Sequence, residues 1–248
     1  MSIFQAVILG LVQGIAEFLP ISSSAHLFLV PKIFGWNDFP LVFDTSLHIG
    51  TMLAVLIYFA KDFISLNRKT IVYLIAGSLP IMVTGLLFGD AIEALITVKT
   101  SIIFISLGTL IMLVSEFLVK RIPKNQITVK RTVIIGLAQV LSLFSGVSRS
   151  GITISTGILS GLTREDAARF SFLLSSPAVF AAAAYQLLKS YRDIEVIGAT
   201  PFIVGILTSF ISGIICMDLL IRFLKTKSLW PFIIYRIALV AFLVFLFI

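Results

Sequence analysis

An apolar stretch that breaks into a serine-rich tip occurs twice in this chain. The first copy is Ile8–Leu27, ILGLVQGIAEFLPISSSAHL, and the second is Ile134–Thr153, IIGLAQVLSLFSGVSRSGIT. A shift of 126 positions lays Gly10 on Gly136, Leu11 on Leu137, Gln13 on Gln139, Phe18 on Phe144, Ser22 on Ser148 and Ser24 on Ser150. Each copy is an apolar helical run interrupted at Pro20 or Gly146. At an offset of 128, Gly77, Gly85 and Asp90 fall on Gly205, Gly213 and Asp218. Each half therefore reads as one broken segment followed by three spans. An odd number of crossings per half turns the second half upside down in a bilayer, the plan of inverted repeats with discontinuous helices.

Of the 248 residues 58% are hydrophobic and only 12% charged, and the mean hydropathy is +1.11. Soluble domains carry about a quarter charged residues, so this is an integral membrane protein. The apolar blocks are about 20 residues long, enough for a helix to cross the hydrocarbon core, and no sustained period-2 pattern supports a barrel. The sequence predicts an all-α fold: six transmembrane helices plus two re-entrant helix–loop–helix segments in an inverted repeat. The spans are expected near 41–60, 70–89, 101–119, 168–188, 200–221 and 229–248. A loop at Gly35, Asn37, Asp38 and Pro40 precedes the first. One membrane domain is expected over residues 1–248, with halves at about 1–125 and 126–248. Cys216, the single cysteine, lies in an apolar run and excludes a disulfide framework. The start, MSIFQAVILG, has no basic segment and no small-residue cleavage site, so it reads as mature protein.

The net charge of +7 reflects basic cytoplasmic loops; no nucleic-acid partner is expected. With both broken segments re-entrant, Lys61, Arg68, Lys69, Lys120, Arg121, Lys124, Lys130, Arg131, Arg164, Arg222, Lys225 and Lys227 share one side. Lys32, Lys99, Lys189 and Arg192 share the other, a ratio of 12 to 4. If both broken segments crossed, the ratio would be 10 to 6. The re-entrant layout obeys the positive-inside rule better. It brings the first tip in from outside and the second from the cytoplasm.

Non-helical backbone at membrane depth is tolerated only when it is buried in protein or lines a wet cavity. The two tips are therefore expected to meet in one site for a phosphate-bearing lipid. Glu17 and Arg149 bring opposite charges to it; a structural ion pair is the plainer reading, but leaves His26 and the hydroxyls unexplained. Arg149 offers a fork of donors matched to phosphate. Backbone amides at the tips, beside Ser22 and Ser150, suit anion binding. Glu17, supported by Gln13, can hold a divalent cation against phosphate oxygens. Ser23 or His26 can attack phosphorus, or His26 can move the proton. Asp44 and His48 are placed second, at the mouth of the site or in a structural role. Asp90 and Asp218 are expected to be solvated.

These residues resemble the undecaprenyl-diphosphate phosphatases, also called bacitracin-resistance proteins. That family's first signature stands here as Gln13-Gly-Ile-Ala-Glu17-Phe-Leu-Pro-Ile-Ser-Ser-Ser-Ala-His26, and its second as Ser145-Gly-Val-Ser-Arg-Ser-Gly-Ile-Thr153. Further familiar blocks are Phe43–Thr51, Leu162-Thr-Arg-Glu and the run from Arg169. Two positions depart from the pattern: Gln13 stands where an acid is commoner, and Ser145 where proline is usual. The resemblance implies hydrolysis of undecaprenyl diphosphate at the outer face of the bacterial plasma membrane, recycling the carrier lipid for peptidoglycan synthesis and conferring bacitracin resistance. It also implies a divalent cation (Mg²⁺ or Ca²⁺), a polyprenyl diphosphate substrate among membrane lipids, and a homodimer. Carried over, Glu17 and Gln13 serve the metal or water, Ser23 and His26 are nucleophile or proton carrier, and Arg149, Ser148 and Thr153 bind phosphate. The competing class is an inverted-repeat transporter or flippase for a lipid-linked phosphate. A phosphatidic-acid-type phosphatase needs a histidine well after its Ser-Arg pair, and both histidines here, His26 and His48, precede Arg149.

Overall fold

The computed structural model describes residues 1–37, 39, 41–120, 122, 124, 126–190 and 197–247. Arg121 and Arg192 of the charge count, and Asp38 and Pro40 of the first loop, lie outside the described residues. The helices are α1 (Ile3–Phe18), α2 (Ser23–Phe34), α3 (Leu41–Tyr58), α4 (Ala60–Ile64), α5 (Arg68–Glu93) and α6 (Val98–Leu118). The second half contributes α7 (Val129–Gln139), a 3₁₀ turn (Val140–Leu143), α8 (Arg149–Leu159), α9 (Arg164–Ser190), α10 (Ala199–Leu224) and α11 (Trp230–Phe247). No strand occurs among the described residues. By length and composition α5, α6, α9, α10 and α11 can cross a membrane. The sixth expected span, α3, has 18 residues, about 27 Å at 1.5 Å per residue. The fold is that of a multi-pass α-helical membrane protein.

The broken segments are too short to cross. Helix α1 starts at a capping box, in which Ser2 accepts from the Gln5 amide while the Gln5 side chain accepts from Ser2. It stops because Leu19, the residue before Pro20, takes an extended conformation (φ −65°, ψ 141°). At 16 residues it spans about 24 Å, against roughly 30 Å of hydrocarbon. Helix α2 returns: the Phe34 and Phe4 rings both pack on Trp36, so the start of α1 and the end of α2 share one end. Helix α2 begins at Ser23, directly after its cap Ser22. Gly35, in the left-handed region at φ 64°, ends it. In the second half α7 and α8, 11 residues each, flank the other tip.

The repeat reappears as packing. A side chain on Gly10 of α1 would run into Thr208 and the Gly205 carbonyl of α10, and one on Gly136 of α7 would run into the Gly77 carbonyl of α5. Gly10 is the repeat partner of Gly136, and Gly205 that of Gly77. Each re-entrant helix thus lies backbone to backbone against a span of the opposite half. At the basic end, Arg169–Asp62 (3.2 Å), Arg164–Glu116 (2.5 Å) and Lys225–Glu165 (3.4 Å) tie helix ends together. Asp218, expected to be solvated, accepts from Tyr58 at 3.0 Å and pairs with Arg222 at 2.8 Å. Beneath the tips lies the main core, where Phe18 sets its ring edge-on to Phe172 with centroids 5.2 Å apart. That contact anchors the last turn of α1, which carries Glu17.

Candidate active site

The two tips share a backbone form. Ser22 (φ 77°, ψ 95°) and Ser148 (φ 74°, ψ 111°) are the only non-glycine residues with positive φ among the described residues. Such conformations cost about 1–3 kcal/mol each and persist where surrounding structure imposes them. Each of these serines caps the helix that follows: Ser22 Oγ accepts from the Ala25 amide, and Ser148 Oγ from the Gly151 amide at 3.1 Å. Each also contacts the hydroxyl two residues on, Ser22 with Ser24 at 3.3 Å and Ser148 with Ser150 at 3.2 Å. Helices α2 and α8 thereby present their N-termini at the tips. The first amides of a helix have no intrahelical acceptor, and the macrodipole there favours an anion.

The tips meet, as the sequence predicts. Arg149 Nη2 pairs with Glu17 Oε1 across 132 positions, and Ser150 Oγ donates to the Leu19 carbonyl at 3.0 Å. Glu17 is almost fully buried, whereas the Arg149 side chain keeps 19% of its surface exposed. The other carboxylate oxygen, Oε2, accepts from Ser23 Oγ at 2.5 Å and from Gln13 Nε2 at 3.1 Å. One carboxylate therefore gathers a guanidinium, a hydroxyl and an amide. A narrow cleft, with room for about one water molecule, reaches this pair between α3 and α9, lined by Glu17, Arg149, Thr51, Met52, Ser175 and Val179, among others.

His26 points elsewhere. Its Nδ1 lies 2.7 Å from the Ser22 carbonyl and its Nε2 2.6 Å from the Tyr235 hydroxyl. A carbonyl can only accept, so Nδ1 carries the proton and Nε2 accepts from Tyr235. In this arrangement the base in contact with Ser23 is Glu17. Thr153, fully buried, donates to the Arg149 carbonyl at 2.8 Å and meets Ser171 Oγ at 2.6 Å, which fixes the first turn of α8.

Three contributors were missed or placed second. His48 Nδ1 accepts from Gln13 Nε2 at 2.9 Å and lies 3.9 Å from Glu17 Oε2, which brings α3 into the site. Its position one turn after Asp44 was visible in the sequence, but not the direction it faces. Tyr235 and Arg236 come from α11. Arg236 is fully buried, and a lone arginine inside an apolar span was signal enough to find it.

A divalent cation can be tested against the donor set. Among the described residues no cluster of three His, Cys, Asp or Glu side chains exists. The site offers one carboxylate, Glu17; Gln13 turns its amide nitrogen to Glu17 and His48 and leaves Oε1 a buried acceptor without a hydrogen-bond partner among the described residues. That set fits an ion completed by substrate oxygens, the usual way Mg²⁺ is held.

Residues 6–242 match the family described as "Bacitracin resistance protein BacA". The chain is 41% identical to a protein of Marinobacter nauticus named undecaprenyl-diphosphatase, with 96% of this chain and 97% of that protein aligned. It is 42% identical to proteins of the same name from Chloroherpeton thalassium (98% and 96% aligned) and Thermodesulfovibrio yellowstonii (99% and 98%). With nearly its whole length matched and both signature stretches converging on one buried carboxylate, the chain belongs to the bacitracin resistance protein BacA family.

Proposed function

We propose that this chain is a phosphatase that hydrolyses undecaprenyl diphosphate to undecaprenyl phosphate and inorganic phosphate. The observation that carries the reading is the 2.5 Å contact from Ser23 Oγ to Glu17, set between two helix N-termini with Arg149 alongside. A hydroxyl bonded to a carboxylate is a nucleophile with its base in place. Ser23 Oγ forms a bond to the terminal phosphorus while its proton passes to Glu17. The bond from that phosphorus to the bridging oxygen breaks, and undecaprenyl phosphate leaves. Water then attacks the phosphoserine, and inorganic phosphate departs with Ser23 and Glu17 restored. Arg149 exchanges Glu17 for equatorial phosphate oxygens, and the amides of α2 and α8 take up the remaining charge. Positioning and charge neutralisation supply most of the rate in such transfers.

Glu17 and Gln13 Oε1 are the groups that would hold a divalent cation, Mg²⁺ or Ca²⁺. Such an ion, when bound, neutralises charge on the diphosphate. Met52, Val55 and Val179 line the cleft beside the polar pair and suit the first isoprene units. The basic end faces the cytoplasm by the positive-inside rule, which admits the substrate from the outer face of the plasma membrane. Removal of the outer-face diphosphate is the basis for bacitracin resistance, and the family resemblance supports a homodimer.

The test is phosphate release from undecaprenyl diphosphate by the purified chain in detergent, with Mg²⁺ or Ca²⁺. One phosphate per lipid is expected. No release at any metal concentration, together with transfer of labelled lipid across vesicles holding the protein, would replace the enzyme with a carrier.

A further inference from the structure

Arg236 is fully buried in α11, and an arginine in the middle of a span costs about 2.5–3.5 kcal/mol on insertion scales. Its partners show what that charge does. Nη1 donates to the Pro20 carbonyl at 3.3 Å, in the first tip. Nη2 donates to the Gly146 carbonyl at 2.9 Å and contacts that of Val147 at 3.2 Å, in the second tip. The same Nη2 meets the Ile105 carbonyl at 2.8 Å, and Nε donates to Thr109 Oγ1 at 2.8 Å. Pro20 and Gly146 are equivalent positions of the repeat. One guanidinium therefore ties the two chain breaks to each other and to α6. Among the described residues its hydrogen bonds go to carbonyl and hydroxyl oxygens and none to a carboxylate.

Two sequence features fit this role. Arg236 falls on Gly108 at the 128-residue offset, and a side chain at Gly108 would collide with Arg236 Nη2 and the Val147 carbonyl. The first half thus leaves empty the notch that the second half fills. Ser145, directly before Gly146, is buried with its hydroxyl unpartnered among the described residues, so its side chain adds no hydrogen bond to hold the second tip.

We infer that Arg236 is a positioning residue for phosphoryl transfer: it locks both tips in register, so that Ser23, Glu17 and Arg149 converge, without touching the substrate. This rests on the phosphatase reading above. Arg236→Lys keeps the charge but carries its donors on one nitrogen, and so cannot occupy the three separate positions that Nε, Nη1 and Nη2 take against the two tips and α6. Misplacement of reacting groups by about 1 Å costs roughly 10²-fold. In detergent, Arg236→Lys is expected to lower kcat by about 10–10² while KM for undecaprenyl diphosphate stays within about threefold. Amide exchange, followed by mass spectrometry, should accelerate at residues 20–26 and 145–152 and nowhere else.

Turnover within about twofold of the parent, with unchanged exchange at the tips, would overturn the inference, as would faster exchange throughout the protein. Should Arg236→Lys fail to fold, Thr109→Val keeps the arginine and removes one acceptor that orients it. A kcat loss of about threefold or more with faster exchange at both tips supports the role; parental values for both refute it. A parent that releases no phosphate would defeat the phosphatase reading alone, since the exchange data still report whether Arg236 holds the tips.

Discussion

Ser23 and Arg149 are equivalent residues of the two halves, each one position past a serine of positive φ, and both reach Glu17, one at each carboxylate oxygen. The repeat thus supplies one scaffold twice and decorates it differently. In the proposed reaction the first copy carries the hydroxyl to be activated, and the second the cation that neutralises what it attacks. This asymmetry inside a symmetric frame makes the roles separable by mutation.

Ser23→Ala removes the proposed nucleophile and leaves Ser22 to cap α2. Phosphate release is expected to fall by at least about 10³-fold, in the range seen when a covalent nucleophile is lost, with thermal stability in detergent unchanged. His26→Ala, which removes the bridge between the Ser22 carbonyl and Tyr235, should retain more activity than Ser23→Ala. The reverse order would make the histidine the nucleophile.

Arg149→Lys keeps the positive charge beside Glu17 but loses the planar fork that matches phosphate. Loss of a donor to developing charge costs about 10²–10³ in rate, and that is the expected drop. Near-parental turnover would show that only bulk charge matters at this position.

Glu17→Gln separates metal binding from simple ion pairing. If Glu17 holds the cation, the variant inserts and folds but needs far more Mg²⁺ or Ca²⁺ for its residual activity. If Glu17 only neutralises Arg149, the variant folds poorly, because breaking a buried pair costs about 3–5 kcal/mol, and its metal dependence is parental. Phosphate release against metal concentration decides, and an unchanged midpoint removes Glu17 from the metal site.

Gly136→Ala and Gly89→Ala should move stability in opposite directions. A side chain at Gly136 meets the backbone of Gly77, whereas one at Gly89 meets nothing within 4 Å. The first is expected to cost about 1–3 kcal/mol or more through overpacking. The second is expected to gain up to about 1 kcal/mol from helix propensity. Thermal unfolding in detergent, compared with the parent, checks both.

Much of this was legible because a repeat reports its own geometry. The offsets of 126 and 128 marked the breaks, the inverted plan and the glycines that carry the close helix contacts. Glu17 and Arg149 stood out as opposite charges in apolar runs beside the two repeated breaks, and the structure brings them together. Arg236 was equally exceptional in composition, yet belonged to no repeated motif, and its partners Pro20 and Gly146 lie 216 and 90 positions away. His48 and Tyr235 were hidden for a different reason. Spans that are apolar on every side do not announce which face turns inward, so a polar residue on them has no readable direction.

The crossed contacts of Gly10 with α10 and Gly136 with α5 bear on how the protein is made. Helix α7 emerges from the ribosome after its support, α5, already exists. Helix α1 has no such support until α10 follows it, about 190 residues later, which is roughly ten to forty seconds at about 5–20 residues per second. The first tip, with Glu17 and its serines, also waits for Arg149, made 132 positions after Glu17, and for Arg236, made after α10. The first half therefore completes its packing and the surroundings of Glu17 only once the second half exists, although Glu17 is among the first residues made.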